Sequence, residues 1–128
     1  MAKNLQKSTL SNNEIDENFK GIYLYNSNLN TIKLNQIVGN GGGIYLEDSI
    51  RNIIQKNNIY ANEMDTFHIN AFRNKWKRNF WNNVTIPHII PGLYYIDRGD
   101  YFGAPPPIII PLISWDLHPV KNAYHWGE

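Results

Sequence analysis

The chain has 128 residues and a formal net charge of +1, with 42% hydrophobic residues, 18% charged residues and no cysteine. This length fits one domain whose core removes roughly two-thirds of the unfolded surface from water. The missing cysteines exclude disulfides, thiolate metal centres and cysteine nucleophiles, and the near-neutral charge gives no long-range preference for nucleic acid or anionic membrane.

The opening segment, Met1 to Lys7, holds no apolar stretch of signal-peptide length, and the longest apolar run, Ile108 to Ile113, is broken by Pro111. As written, the chain is therefore expected neither to insert into a membrane nor to carry its own secretion signal. A repeat then sets in at a fixed offset of 22 residues, with Gly21-Ile22-Tyr23-Leu24 recurring as Gly43-Ile44-Tyr45-Leu46. Ser27 recurs as Ser49, Asn30 as Asn52, Ile32 as Ile54, Asn35 as Asn57, Ile37 as Ile59 and Asn40 as Asn62. Leu10, Asn13, Ile15 and Asn18 extend the same register backward. Units this short cannot bury their own apolar face, so they must stack and share a core.

Within each unit the aliphatic residues alternate at a spacing of two, which puts Ile22 and Leu24 on one side of a strand and Tyr23 on the other. Asn, Asp and Ser fall between the strand segments, where they suit turns. The pattern predicts a parallel β-helix of about three 22-residue coils, with strands about 4.8 Å apart and identical residues stacked in register. Asn13, Asn35 and Asn57 should form one inward amide ladder and Asn18, Asn40 and Asn62 a second, because a buried amide costs a few kcal/mol unless it is paired. The partial first coil leaves that end of the stack open, so fraying or end-to-end self-association is expected there.

After Asn62 the period fades into an aromatic stretch with Phe67, Phe72, Trp76, Phe80 and Trp81, read as a cap or a degenerate fourth coil. All seven prolines lie between Pro87 and Pro119, so residues 84–128 are expected to pack on the solenoid of residues 1–83 as an irregular or edge-strand extension.

Candidate chemistry is sparse. Tyr23 and Tyr45 share one outward slot in successive coils, Tyr25 lies farther along that face, and Glu47 and Asp48 add hydrogen-bonding groups. Such rings on a rigid sheet can stack on sugars, which makes these five residues a candidate polysaccharide site; the competing account is that Tyr simply suits an exposed strand. Catalysis would need paired carboxylates in a groove, and the adjacent Glu47 and Asp48 point in alternate directions, so no catalytic residue is assigned. Asp116, His118 and His125 offer carboxylate and imidazole suited to zinc or copper, although close His-x-x-x-His spacing is missing; no cofactor is assigned. Arg73, Lys75, Lys77 and Arg78 interleave with aromatics, which is read as a cap with rings inward and cations outward rather than as a nucleic-acid site. Asn83-Val84-Thr85 is a sequon whose meaning depends on export.

The unit Gly-Ile-Tyr-Leu-x-x-Ser-x-x-Asn-x-Ile-x-x-Asn-x-Ile-x-x-Asn resembles the right-handed parallel β-helix repeats of the NosD-like, carbohydrate-binding and sugar-hydrolase class, over about residues 4 to 83. Asn74 to Trp81 is similar to the Asn-x-Trp-Asp-x-Asn-Tyr-Trp closing motif of that class, with Lys77 in the acidic position. Ser114 to Tyr124 is similar to its Phe-Asp-Trp-His-Pro-Ala-Lys-Glu-Pro-Tyr ending. The resemblance implies an all-β solenoid, an extracellular or periplasmic location, and a short or N-terminally truncated member. Its implied roles are a noncatalytic binding or structural module, a carbohydrate-active lyase or hydrolase fragment, or a copper-associated periplasmic protein.

Overall fold

The computed structural model describes residues 1–82, 87–99 and 101–124, and every regular element in it is a strand. The first turn supplies β1 (Ala2–Lys3), β2 (Thr9–Ser11) and β3 (Glu14–Ile15). The second supplies β4 (Lys20–Tyr25), β5 (Thr31–Lys33) and β6 (Gln36–Val38), and the third β7 (Gly42–Glu47), β8 (Ile53–Gln55) and β9 (Asn58–Tyr60). The fading repeat still builds β10 (Met64–Ile69) and β11 (Lys75–Lys77), which brings the β-solenoid to about four turns. Two longer strands, β12 (His88–Ile96) and β13 (Ile108–Asp116), follow.

Equivalent strands pair in parallel at the sequence period: Ile22 with Ile44, Ile32 with Ile54, and Ile37 with Ile59. The solenoid therefore has three faces, built from β1-β4-β7-β10, from β2-β5-β8-β11 and from β3-β6-β9. Ile22, Leu24, Ile32, Ile37, Ile44, Leu46, Ile54 and Ile59 are buried between them. Full burial of an aliphatic side chain contributes about 1.5–3 kcal/mol, and here each one rests on its own repeat. Gly43 serves this close stacking, because a Cβ there would lie 2.3 Å from the Asp65 carbonyl oxygen on the next strand.

The corners are held by amide columns. Asn57 Oδ1 accepts the backbone N–H of Asn35 at 3.0 Å and its Nδ2 at 3.1 Å, while Asn57 Nδ2 donates to the Ile32 carbonyl at 2.9 Å. The same pattern links Asn13 to Asn35, and Asn18 through Asn40 to Asn62, as the two ladders require. Asn30, Asn52 and Asn74 form a third column, and Ser27 with Ser49 a hydroxyl version. Asn28, outside these columns, still bridges turns by accepting the Ile50 N–H at 2.8 Å.

A column built this way has a direction, since each asparagine Oδ1 accepts from the asparagine of the turn before it. Two of the columns end on a carboxylate, an acceptor with nothing to donate. Asn57 passes its bonds to Asn79, and Asn79 meets the fully buried Asp116. Asp116 Oδ2 accepts from Asn79 N (3.0 Å), Asn79 Nδ2 (3.1 Å) and Trp81 Nε1 (2.9 Å), and Oδ1 accepts from Arg78 N (3.2 Å) and His118 N (3.1 Å). The other ladder ends on Asp65, whose Oδ1 accepts both N and Nδ2 of Asn62. The two closing motifs of the sequence thus meet at one carboxylate.

The proline-rich tail is more regular than its composition implies. β12 and β13 form an antiparallel hairpin of nine paired positions, in which β12 also pairs with β10 and β13 with β11. The hairpin bridges two faces across the end of the stack and places Ile90 in the core. Pro91 and Pro111 are accommodated because β10 reaches β12 only at Gly92 and Leu93, and β11 reaches β13 only at Asp116, so neither proline must donate outward. Beyond β13 the chain returns along the coils, with Val120 N donating to Asn79 O and Tyr124 exchanging two hydrogen bonds with Asn58. At the opposite end the stack opens into a cavity of about 340 Å³ lined by Met1, Ala2, Leu10, Ile15 and Leu24 among others. The sequon at Asn83 lies outside the described residues.

Candidate functional site

The first face carries its side chains in rungs. Tyr23, Tyr45 and Phe67 pair directly across β4, β7 and β10, so the aromatic slot runs for three rungs, one more than Tyr alone reveals. Phe67 stands 22 residues beyond Tyr45, a signal that the switch from Tyr to Phe masks. The Tyr23 and Tyr45 rings lie 5.0 Å apart at an interplanar angle of 74°, and Tyr45 and Phe67 lie 5.7 Å apart at 33°. The column is a staggered edge-to-face surface, the arrangement that ring quadrupoles favour over a flat sandwich.

Lys20 and Glu47 fix these rings. Lys20 Nζ lies 4.3 Å from the centroids of both Tyr23 and Tyr45, within cation–π range. The Tyr23 hydroxyl donates to the Glu47 carboxylate, which pushes the Tyr23 pKa well up, with burial adding to the effect. Burial also raises Tyr45. Both phenols thus remain neutral donors on a preorganised surface. Tyr25 pairs with Glu47 across the rung and stands beside Lys3, whose Nζ is 5.5 Å from its ring centroid. Asp48 sits apart, exposed at the corner after β7 with a left-handed φ of 48°. Four of the five sequence-nominated residues, Tyr23, Tyr25, Tyr45 and Glu47, are thus brought together, and Asp48 faces the solvent next to them.

Asp116, His118 and His125 are placed otherwise. Both Asp116 oxygens are committed to N–H donors, and His118 is exposed and meets Asp116 through its backbone. His125 lies outside the described residues. His88 stacks on Trp81 at 4.2 Å and 17°, and His68 is buried with Ser114 Oγ 3.4 Å from Nε2 and, among the described residues, no hydrogen-bond partner at Nδ1. Burial holds both imidazoles below the usual pKa; the Ile90 backbone opposes this at His68, and Asp65 and Asp116 oppose it at His88. Gly92 lies against the His68 ring, where a Cβ would fall 2.4 Å from its atoms.

The sequence pattern of the family described as "Periplasmic copper-binding protein (NosD)" matches residues 1–106. The chain belongs to the NosD family. No curated protein and no solved structure matches the chain. The NosD family is periplasmic by its description, in keeping with an exported location, and its parallel β-helix is the solenoid described above. Copper favours imidazole, thiolate and thioether ligands. The described residues do not fit such a centre: no three of His, Cys, Asp or Glu converge among them, Asp116 is spent on the column, and His68 and His88 are packed separately.

Proposed function

We propose that this NosD-family chain is a noncatalytic binding module of an exported or cell-surface protein, and that the Tyr23–Tyr45–Phe67 face receives a neutral or mildly acidic polysaccharide. The observation that carries the reading is the three-rung aromatic column pinned by Lys20 and Glu47. A pyranose can lay its C–H face on the outer ring edges, with the hydroxyls of Tyr25 and Tyr45 as hydrogen-bond partners. Rungs about 4.8 Å apart hold one sugar well and leave its neighbours to polar groups, so affinity is weak. Heavily anionic chains are disfavoured at this face by like-charge repulsion from the acidic corner of Glu47 and Asp48.

The test is titration of a glycan panel against the intact protein and the Tyr23→Ala/Tyr45→Ala variant, both shown to be folded by circular dichroism. Binding by the intact protein that drops about tenfold or more in the variant supports the site, given stacking contributions of about 1 kcal/mol or more per ring. Binding that survives the double change removes the ligand from this face. No binding to any glycan leaves a structural module as the better reading.

A further inference from the structure

The near-neutral charge of the chain conceals a segregation. Residues 6–13, 28–35, 50–57 and 72–79, which form the β2-β5-β8-β11 face and its flanking corners, hold eight of the 12 Lys and Arg and no Asp or Glu. The cations crowd toward the last turn, where Arg73, Lys75, Lys77 and Arg78 are all exposed. Arg51, one rung below Arg73, joins it and Lys75 around a shallow cleft of about 300 Å³.

Beside this rim stands an apolar ribbon. The hairpin register puts Ile89, Pro91 and Tyr95 of β12 on the same outer face as Ile109, Ile113 and Trp115 of β13. Ile109 and Ile113 are each 57% exposed and Trp115 is 46% exposed. Past the point where β10 and β11 stop, the inner face is uncovered too, and the three consecutive isoleucines 108–110 are all exposed. No charged side chain occurs from Tyr101 to Trp115. Because Trp76 pairs with Asp116 in parallel, Lys75 neighbours Trp115 and Lys77 neighbours Leu117 along the outer surface. The ribbon and the cationic rim are one continuous surface.

We propose that this surface docks onto a bilayer containing anionic phospholipid, with the hairpin lying in the headgroup–acyl boundary and the rim cations on the headgroups. Each half of the surface matches one part of that partner: cations meet the negative surface potential, isoleucines enter the acyl boundary, and Trp115 and Tyr95 suit the interface. Other occupants use only half of it. A second copy seated here would bring two cationic rims together, and a single-stranded nucleic acid would find aliphatic side chains where it needs stacking platforms. The hairpin adsorbs and does not span, because an open two-stranded ribbon leaves backbone groups that the hydrocarbon core cannot satisfy. Asp97 and Arg98 at the loop hold that end in the wet layer.

Flotation with vesicles of phosphatidylcholine alone, and of an equimolar mixture with phosphatidylglycerol, tests this on the intact chain. The expected result is binding to the mixed vesicles that weakens by about tenfold or more at high salt, and by a similar factor on pure phosphatidylcholine. Arg73→Glu/Lys75→Glu and, at unchanged charge, Ile109→Ser/Ile113→Ser should each lower it about as much, with far-ultraviolet circular dichroism unchanged. Failure of the unsubstituted chain to float with mixed vesicles overturns the proposal. Binding that ignores the isoleucine changes and is matched by a soluble polyanion such as heparin or single-stranded DNA overturns it in favour of polyanion capture. A concentration-dependent dimer abolished by Ile109→Ser/Ile113→Ser, with no vesicle binding, overturns it in favour of self-association.

Discussion

In the coils an inward aliphatic side chain is buried against the matching position of a neighbouring turn, whereas in the hairpin Ile90 is buried but most other apolar side chains are left partly or largely exposed. The difference follows from strand length. β10 and β11 offer six and three residues to cover strands of nine, so the hairpin overhangs the stack. Burial in a solenoid thus comes from periodicity, and chain that leaves the period keeps its apolar surface for something else. The two regions are joined where β12 pairs with β10, and at Asp116, which ends an asparagine column of the coils from its position in the hairpin.

Breaking that joint should have the largest effect. Asp116→Ala leaves the buried donors of Asn79 and Trp81 unpaired along with the Arg78 N–H, and unsatisfied buried donors cost about 1–3 kcal/mol each. A loss of about 3–5 kcal/mol is expected in urea denaturation, with the hairpin released first. Asp116→Asn, which keeps one acceptor oxygen but turns an NH₂ toward the donors, should fall between that variant and the unsubstituted chain. Within the coils, Asn57→Ala removes the middle of a column and should cost about 1–3 kcal/mol. Asn13→Ala, at the exposed open end, should cost about 0.5–1 kcal/mol, because it loses only a neutral, partly solvated bond.

Acid should separate the regions next. His68 lies under the hairpin with its pKa held below the ordinary value of 6.5, chiefly by burial. The folded state therefore binds this proton less readily than the unfolded state. Stability is full above about pH 6.5 and is lost as the pH falls through the lowered folded-state value. The drop measured by denaturation between neutral and mildly acidic pH should shrink in His68→Asn. The smallest effect is at the corners, where Leu34 and Arg51 hold left-handed φ values of 56° and 58°. Glycine relieves that strain, so Leu34→Gly should raise stability or leave it level, within about 1 kcal/mol, despite added freedom in the unfolded chain.

Much of the coil architecture was legible because stacking demands identity at one offset, and the paired isoleucines and the first two asparagine columns follow from it directly. The third column was visible as the recurrence of Asn30 at Asn52, but its extension to Asn74 fell where the apolar period fades. The column ends were illegible for a different reason. A carboxylate that terminates a ladder belongs to no repeat, so Asp116 read as a metal ligand beside His118. The hairpin was obscured by its prolines, which forbid a central strand only when the outer neighbour is also paired. On the first face, Tyr23, Tyr45 and Glu47 were readable from alternation, while Lys20 was missed because its reach across two rings depends on the stagger between turns.

Residue-resolved amide exchange on the intact protein tests the central claim most directly, since the backbone N–H groups of Asn35, Asn57 and Asn79 are all held by the same column that ends on Asp116. The account predicts that these three exchange together at the slowest rates in the chain, and that Tyr94 to Ile96 and Ile108 to Ile110 in the overhanging hairpin exchange far faster. Slow exchange throughout the hairpin, with rapid exchange at Asn57 and Asn79, would contradict it.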